Sequence, residues 1–253
     1  MDLKSIAKKL DKAALEFQPI NQVSIEQKLN LEEAYKIQNY LIEERLERGE
    51  LITGYKLGFT SKAKMKQMNV DDLIWGVLTN EMEIKSKDKI DLKKYIHPRA
   101  EPEIAFRVSK NINRQIEVSE IVDYVDKMAV AIEVIDSRYR NFKFSLEDVV
   151  ADNCSSIGYC IGEWQDLKEN ISNLDIQLKF NSVVVQKGKS KAILDNPYQS
   201  IIELTRLASA SGLTLKKGQI ILAGAATAAE WITPKTKISA EIEGIGGVSF
   251  DVG

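Results

Sequence analysis

The amino-acid sequence predicts an α+β protein in which a helical N-terminal part leans on a mostly antiparallel β body. Two amphipathic helical patterns fill the first 50 residues, whereas from residue 84 onward most apolar patterns are those of strands. No internal repeat and no Pro/Ser-rich linker divides the chain. With 253 residues, 44% of them hydrophobic, the chain can bury one large core or two modest ones.

The helices are predicted from apolar residues at helical spacing. One covers 2–17 and a second covers 31–48, and a proline and a glycine follow them as stop signals. Ser61 is a good N-cap for a short helix that extends to Met68. Three further helices are predicted at 117–125, 144–151 and 197–211.

The strands are predicted from alternating or continuously apolar runs. The final two are separated by a glycine-rich bend at 244–247, where side chains would obstruct the turn. The predicted strands are 52–59, 75–78, 84–91, 100–108, 128–136, 156–162, 175–187, 219–223, 237–243 and 247–252.

Composition excludes several classes of protein. The formal net charge is -2 without a basic block, which argues against binding to nucleic acid or to a membrane surface. No run is long and apolar enough to span a membrane, and the N-terminus lacks a signal-peptide pattern. Cys154 and Cys160 are expected to be free thiols in the cytoplasm. His97 is the only histidine, so a His-based zinc site is excluded, and its place beside Pro98 favours a structural hydrogen bond.

Two carboxylates stand out on the strand predicted at 100–108. Glu101 and Glu103 share one face, while Ile104 and Phe106 belong to the opposite, core-forming face. Carboxylates this close repel each other unless a positive charge lies between them. The spacing alone leaves two interpretations open, a solvated edge strand or a metal site.

Glu133 is a third carboxylate, in a strand that is otherwise apolar on both faces and is therefore predicted to be central and buried. A lone ionised glutamate in such a strand costs several kcal/mol unless it is paired, protonated or bound to a cation. Three carboxylates from two strands, without a nearby histidine or cysteine, form an oxygen site suited to Mg²⁺ or Mn²⁺.

Lys56 lies between Gly54 and Gly58 in the first predicted strand. Glycine inside a strand often marks close approach of a backbone or a ligand. The residues leave open whether Lys56 serves a site or extends to solvent from an edge strand.

Several segments, in order along nearly the whole chain, resemble the fumarylacetoacetate hydrolase superfamily. The resemblance is strongest to its branch of 2-keto-4-pentenoate hydratases and 2-oxo-3-hexenedioate (4-oxalocrotonate) decarboxylases. Among the matching segments are the glycine-flanked lysine strand and the Glu-Pro-Glu strand. The segments are 31–38, 54–61, 96–106, 132–139, 150–156 and 244–249.

The resemblance implies a fold, a division of the chain and a site. The fold is a mixed β-sandwich roll whose mouth holds a divalent metal, with residues 1–80 as an N-terminal α/β part that contributes the Lys56 strand. Residues 81–253 then form the β-roll catalytic domain. The family's metal ligands fall on Glu101, Glu103 and Glu133, and its lysine falls on Lys56.

The resemblance also implies an activity. The segments 137–144 and 63–68 look closer to the decarboxylases, which convert 2-oxo-3-hexenedioate to 2-hydroxypenta-2,4-dienoate in the meta-cleavage degradation of aromatic compounds. Loss of carbon dioxide drives electrons onto the 2-oxygen, and a divalent cation stabilises that charge. The alternatives are a hydratase of the same pathway, an acylpyruvate-type carbon–carbon hydrolase, and a non-catalytic partner subunit. A homo-oligomer and association with a paired hydratase are further expectations.

The remaining candidate roles are less sharply defined. Lys56 is expected to transfer a proton or to orient an α-keto acid substrate, with a pKa lowered by burial beside the cation. Arg138 is a candidate substrate-binding residue, although with Asp136 it equally suits an ion pair at a strand end or support for Glu133. Thr227 is a candidate for binding a substrate carboxylate.

Overall fold

The computed structural model describes residues 2–61, 65, 66, 70 and 72–253. Helices occupy mainly the first 50 residues and the edges of the β body. Among the described residues, no helix is both long and apolar enough to cross a membrane. The α-helices are α1 (Leu3–Glu16), α2 (Val23–Glu26), α3 (Leu31–Glu47), α4 (Ile121–Tyr124), α5 (Leu146–Ala151) and α6 (Tyr198–Ala210).

The β body begins with the strand that carries Lys56 and ends with a hairpin at the C-terminus. The strands are β1 (Ile52–Gly58), β2 (Ile74–Thr79), β3 (Lys89–Ile90), β4 (Arg99–Val108), β5 (Val125–Ile135), β6 (Ser156–Ile161), β7 (Gln165–Asp166), β8 (Asp175–Phe180), β9 (Val183–Lys189), β10 (Ile220–Leu222), β11 (Glu230–Trp231), β12 (Lys237–Ile242) and β13 (Gly246–Val252).

Within the described residues, these strands form an eight-stranded sheet and a five-stranded sheet. The larger sheet has the order β2-β1-β10-β4-β5-β6, with β11 paired to β4 and β7 to β5, and the smaller has the order β3-β13-β12-β8-β9. The β1–β10 and β13–β3 pairs are parallel and the others are antiparallel. The smaller sheet packs on β4 and β5 through β8, β12 and β13, so those two strands lie at the centre of the molecule.

This architecture confirms the predicted α+β class with mixed, mostly antiparallel sheets. Helix α1 packs on α3, and α3 packs on α5, so the N-terminal helices cover one side of the β body. Strands β1 and β2, from the first 80 residues, lie in the same sheet as β4 and β5. The division of the chain at residue 80 stays a prediction.

Two predicted strands were wrong in extent. The run 175–187 is a hairpin rather than one strand, because Asn181 and Ser182 both have positive φ angles (+49° and +69°) that close a two-residue turn. The run 84–91 contributes only β3, because a turn containing Lys87 (φ +72°) precedes it.

The predicted helices differ in length. The run 117–125 contains a 3₁₀ turn at Val118–Glu120 and then α4, because Val125 already begins β5. Helices α5 and α6 fall inside the predicted runs 144–151 and 197–211. For the helix predicted to start at Ser61, residues 62–64, 67 and 68 lie outside the described residues.

Candidate metal centre and cavity

Glu101, Glu103 and Glu133 come together because β4 and β5 are central antiparallel neighbours. Glu101 is directly opposite Glu133 in the register, and Glu103 follows Glu101 on the same face. One carboxylate oxygen from each residue lies within 4.8 Å of those from the other two. Glu103 and Glu133 are fully buried and Glu101 is 6% exposed, so water cannot solvate the cluster freely. The structure thus brings together the three residues predicted as metal ligands.

The electrostatics of this cluster require positive charge. Burial, together with repulsion from Glu133 and Glu101, raises the pKa of Glu103 well above its usual value. Burial also raises the pKa of Glu133, although Lys56 opposes that shift. Burial and mutual repulsion thus disfavour the charged forms of Glu103 and Glu133 unless positive charge lies close by.

Lys56 extends from β1 to the cluster, and its Nζ lies 3.2 Å from Glu133 Oε2. Burial lowers the pKa of Lys56, but the attraction of Glu133, Glu103 and Glu101 outweighs it, and the net pKa is raised. The lowered pKa expected from the sequence assumed a bound cation; without one, the carboxylates reverse the sign of the shift. The side chain is 4% exposed, so the interpretation of Lys56 as a lysine extending to solvent was wrong.

Gly54, near Lys56 on β1, makes room for a neighbouring strand and not for a ligand. A Cβ at this position would lie 2.1 Å from the carbonyl oxygen of Ile220. The glycine therefore admits the backbone of β10, which pairs with β1 in parallel, rather than a substrate. This close pairing places Lys56 beside the end of β10 and within reach of β5.

Gly224, two residues after β10, fixes the orientation of Glu103. Its backbone N–H donates a 2.8 Å hydrogen bond to Glu103 Oε2. Its φ of +98° disfavours other residues, and a Cβ there would lie 2.2 Å from the Thr60 hydroxyl oxygen. Only glycine meets both conditions at this position.

Three consecutive residues beside the cavity adopt the left-handed conformation, and two of them, Cys154 and Ser155, line its wall. Asn153, Cys154 and Ser155 have φ angles of +48°, +52° and +58°, a conformation that costs about 1–2 kcal/mol per non-glycine residue. The Asn153 amide compensates by bonding to both the N–H and the carbonyl oxygen of Val77 (2.8 and 2.9 Å). We call residues 153–155 the left-handed turn.

A second tie connects the left-handed turn to helix α3. The Gln38 amide nitrogen donates to the carbonyl oxygens of Trp75 and Val150 at 3.0 and 3.1 Å. The Cys154 thiol donates to the same Trp75 oxygen at 3.1 Å. Gln38, from the N-terminal helical part, thereby connects β2 and α5, the two elements that flank the left-handed turn.

A cavity of about 500 Å³ opens onto the cluster. Its wall combines apolar and polar groups. The polar groups include the turn residue Ser155, whose buried hydroxyl has no hydrogen-bond partner among the described residues. Lysine and arginine side chains add positive charge to the wall. Charged and aromatic members of the lining are Lys56, Arg99, Glu101, Lys143, Phe59, Phe142 and Phe144.

Arg99 had no individual role in the sequence-based prediction. It precedes Glu101 by two residues on β4, so both side chains share one face of that strand. Its guanidinium carbon lies 4.2 Å from the centre of the Phe142 ring and 3.8 Å from that of Trp231. The alternation that identified Glu101 and Glu103 also includes Arg99, but the enclosing rings come from segments distant in sequence.

Other predicted residues lie around the centre rather than in the cavity lining. The Thr227 hydroxyl donates to the carbonyl oxygen of Ala228 (3.1 Å). Arg138 is buried and pairs with Asp152, so the predicted ion pair with Asp136 was wrong. The substrate-binding roles of Thr227 and Arg138 stay predictions.

Asp136 organises the strand entry instead. Its two carboxylate oxygens accept hydrogen bonds from the backbone N–H groups of Ile96 and His97 (2.7 and 2.9 Å). The His97 ring nitrogen Nε2 lies 2.6 Å from the carbonyl oxygen of Ser137, so the ring donates a structural hydrogen bond. These contacts position the start of β4, and with it Arg99 and Glu101.

The cluster fits a hard divalent cation. Glu103 Oε1 and Glu133 Oε1 are buried and have no hydrogen-bond partner among the described residues. Lys56 supplies one positive charge beside the three carboxylates, and a divalent cation would supply two more. Carboxylate oxygens without competing sulfur or imidazole ligands suit Mg²⁺ and Mn²⁺.

Comparison with known proteins gives one matching family model and several full-length relatives. Residues 57–252 match the model described as Fumarylacetoacetate (FAA) hydrolase C-terminal. A 4-oxalocrotonate decarboxylase from a Pseudomonas species is 43% identical over 250 residues, 99% of this chain and 98% of that protein. A 2-keto-4-pentenoate hydratase from Paraburkholderia xenovorans is 29% identical over 223 residues, 87% of this chain and 83% of that protein.

Among solved structures, the chain is similar to 4-oxalocrotonate decarboxylase from Pseudomonas putida complexed with magnesium and adipate. The TM-score is 0.94 at 31% sequence identity, covering 99% of this chain and 97% of the other. A second structure of that decarboxylase, complexed with calcium and acetate, gives a TM-score of 0.93 at 30% identity, covering 99% of this chain and 96% of that one. The similarity extends over the N-terminal helices as well as the β body.

Proposed function

The chain belongs to the fumarylacetoacetate hydrolase family, and from that premise we propose that it decarboxylates 4-oxalocrotonate (2-oxo-3-hexenedioate) to 2-hydroxypenta-2,4-dienoate. It is thereby a lyase that acts on a small α-keto acid. The observation that carries the proposal is the 43% identity to a 4-oxalocrotonate decarboxylase over nearly the whole of both chains. Hydratase relatives match less of the chain at lower identity.

Glu101, Glu103 and Glu133 would hold the metal, which we propose to be Mg²⁺ or Mn²⁺. When bound, such an ion supplies positive charge that stabilises a developing enolate oxygen. The buried, unpartnered oxygens of Glu103 and Glu133 support this assignment. The hydrogen bond from Gly224 leaves Glu103 one free oxygen and fixes its direction.

Lys56 is the proposed catalytic residue. Its charged form is stabilised by the carboxylates, so it presents N–H donors and a positive charge at the end of the cavity. These groups would orient the 2-oxo acid and deliver a proton to the 2-oxygen as carbon dioxide leaves. The cavity wall also contains apolar side chains, beside which these electrostatic interactions are stronger than in bulk water.

The wider setting belongs to the same proposal. We propose that the reaction serves the meta-cleavage degradation of aromatic compounds in the cytoplasm, where the two buried cysteines would stay reduced. A homo-oligomer, and a complex with a paired hydratase, are proposed assemblies.

The fate of 2-oxo-3-hexenedioate tests the function. Purified protein with Mg²⁺ or Mn²⁺ should release carbon dioxide and form 2-hydroxypenta-2,4-dienoate, and chelation of the metal should stop both. Hydration of the dienol without release of carbon dioxide would assign the hydratase activity instead. If the loaded protein changed neither compound, the catalytic proposal would be refuted in favour of a partner subunit.

A further inference from the structure

We infer that Arg99 binds the far carboxylate of a dianionic α-keto acid, and that Phe142 and Trp231 hold its guanidinium for this task. The inference deepens the proposed function, on which it rests for the identity of the ligand class. Arg99 would then be a specificity-determining residue rather than a catalytic one.

The Arg99 side chain is held between aromatic rings and keeps a hydrogen-bond donor unused. Its guanidinium carbon lies 4.2 and 3.8 Å from the centres of two aromatic rings, which cover part of the group without using its hydrogen-bond donors. The buried Nε has no hydrogen-bond partner among the described residues. A cation with a buried, unused donor favours an anionic ligand.

Specific backbone features place the two rings around Arg99. Trp231 on β11 is directly opposite Arg99 in the antiparallel register with β4. Phe142 has a φ of +55° and follows Asn141 at +60°, so the chain adopts a costly conformation where it presents that ring. The two rings also contact each other, 5.9 Å between centres. The enclosure therefore limits the rotamers of Arg99, as recognition of a planar carboxylate requires.

The spacing between Arg99 and the carboxylate cluster suits a six-carbon diacid. Arg99 and Glu101 lie two residues apart on one strand, which separates their Cα atoms by about 7 Å. An extended six-carbon diacid places its carboxyl carbons about 6 Å apart, because its five carbon–carbon bonds of about 1.5 Å form a zigzag. An acid with one end at the carboxylate cluster thus matches the reach to Arg99, and both residues line the same cavity.

The chemistry assigns Arg99 to affinity rather than to the rate of the chemical step. In the proposed reaction the far carboxylate leaves as neutral carbon dioxide, so its charge disperses in the transition state. An interaction with that charge is strongest in the ground state and lowers KM without raising kcat.

Binding of two unreactive acids tests the inference independently of turnover. 2-Oxohexanedioate and 2-oxohexanoate have the same chain length and the same α-keto acid end, and differ only in the far carboxylate. Titration calorimetry with Mn²⁺-loaded wild-type protein should show tighter binding of the diacid by about 10- to 100-fold, the range of a charged hydrogen-bonded contact. In Arg99→Gln the two acids should bind within about threefold of each other, with 2-oxohexanoate affinity and metal content unchanged.

Lys143→Gln is the matched control, because Lys143 also lines the cavity as a cation. It should keep the preference for the diacid. A preference that survives in Arg99→Gln, or disappears in Lys143→Gln alone, would overturn the inference while leaving decarboxylation of 4-oxalocrotonate intact.

Failure of the proposed function has a different signature. A wild-type protein that prefers the diacid through Arg99 but releases no carbon dioxide from 4-oxalocrotonate supports the binding role and refutes the activity. If neither acid bound to the loaded wild-type protein, both proposals would fall. Thermal unfolding of each variant verifies that it is folded, and Arg99→Lys, which keeps the charge but loses the planar fork, should recover only part of the preference.

Discussion

Glu133 illustrates how a charged residue can occupy the centre of a sheet. It is fully buried on β5, where Lys56 pairs with one of its oxygens and the other has no hydrogen-bond partner among the described residues. Such a residue destabilises the fold when no cation is present and stabilises the cation when one is. Glu133 thus lowers the stability of the metal-free protein and raises that of the metal-loaded protein, so the stabilities of the two forms must be compared.

We predict that Glu133→Gln abolishes most metal binding and that Glu133→Ala abolishes it fully. Added Mn²⁺ should raise the Tm of the wild-type protein, by an amount equivalent to about 2.7 kcal/mol at a hundredfold excess over Kd, and should leave that of either variant unchanged. Without metal, Glu133→Gln should be at least as stable as wild type because one buried charge is removed. The exposed Glu81→Gln is the control, and full metal occupancy in Glu133→Ala would remove Glu133 from the site.

We predict that Lys56→Met lowers kcat by about 10²- to 10⁴-fold, the range of a positioned proton donor, while metal content stays at the wild-type level. Removal of a positive charge beside the carboxylates cannot weaken their attraction for a cation. The exposed Lys89→Met on β3 is the matched control and should change kcat little. A kcat near that of wild type in Lys56→Met would refute the catalytic role.

Sequence patterns show that a charged residue lies in a buried strand, but they do not show which side chain it will contact. The three glutamates and Lys56 were visible in the sequence because charged residues interrupt apolar or glycine-flanked strands. The partner of Arg138 was not, since Asp152 reaches it through a turn after α5. The aromatic enclosure of Arg99 was equally hidden, because Phe142 and Trp231 meet only in the folded chain.

At the scale of elements, the segment after β10 determines the geometry of the site. It carries the N–H that orients Glu103, and it passes against Thr60 where no side chain fits. A change here should affect both stability and the arrangement of the carboxylate cluster, although the segment contributes no carboxylate to it.

We predict that Gly224→Ala destabilises the protein by about 3 kcal/mol or more, because a positive φ and a clash with Thr60 add together. Gly218→Ala is the control, since Gly218 has a similar φ (+88°) and open space around its Cβ position, and it should cost about 1 kcal/mol. Denaturant unfolding of the metal-free proteins measures both. Equal losses in the two variants would show that the contact with Thr60 carries no energy.

The elements themselves were predictable where periodicity was long and unambiguous. Helices α1 and α3, with strands β4, β5 and β13, fall close to their predicted bounds. The β8–β9 hairpin was missed because its turn, Asn181-Ser182, lacks the glycine that usually marks this geometry. Strand β3 was overestimated, since apolar alternation at 84–91 does not distinguish a paired strand from an extended loop.

At the scale of the whole molecule, hydrogen bonds connect the N-terminal helices to the segments beside the cavity wall. Gln38 is fully buried and connects α3 to the backbone at Trp75 and Val150, beside the left-handed turn. The helices therefore do more than cover the sheet. They support a segment whose conformation is unfavourable by itself.

We predict that Gln38→Met, which keeps the volume and removes the donors, lowers the free energy of unfolding by about 2 kcal/mol, because buried carbonyl oxygens lose a partner. It should also reduce kcat without changing metal content, as the left-handed turn relaxes away from the cavity. The exposed Gln27→Met serves as the control. An unchanged kcat with reduced stability would confine Gln38 to a structural role.

The parallel pairing of β1 with β10 determines when the site can form during synthesis. Gly54 pairs with Ile220, and the hydrogen bond between Glu103 and Gly224 spans 121 residues of chain. Contacts of such high sequence separation form late, because the intervening loop must close first. A nascent chain that has not yet emerged beyond residue 224 therefore contains all three glutamates and Lys56 but lacks the strand and the N–H group that arrange them. The three glutamates and Lys56 can therefore take up their observed arrangement only after β10 and Gly224 have been synthesised and have paired with β1 and β4.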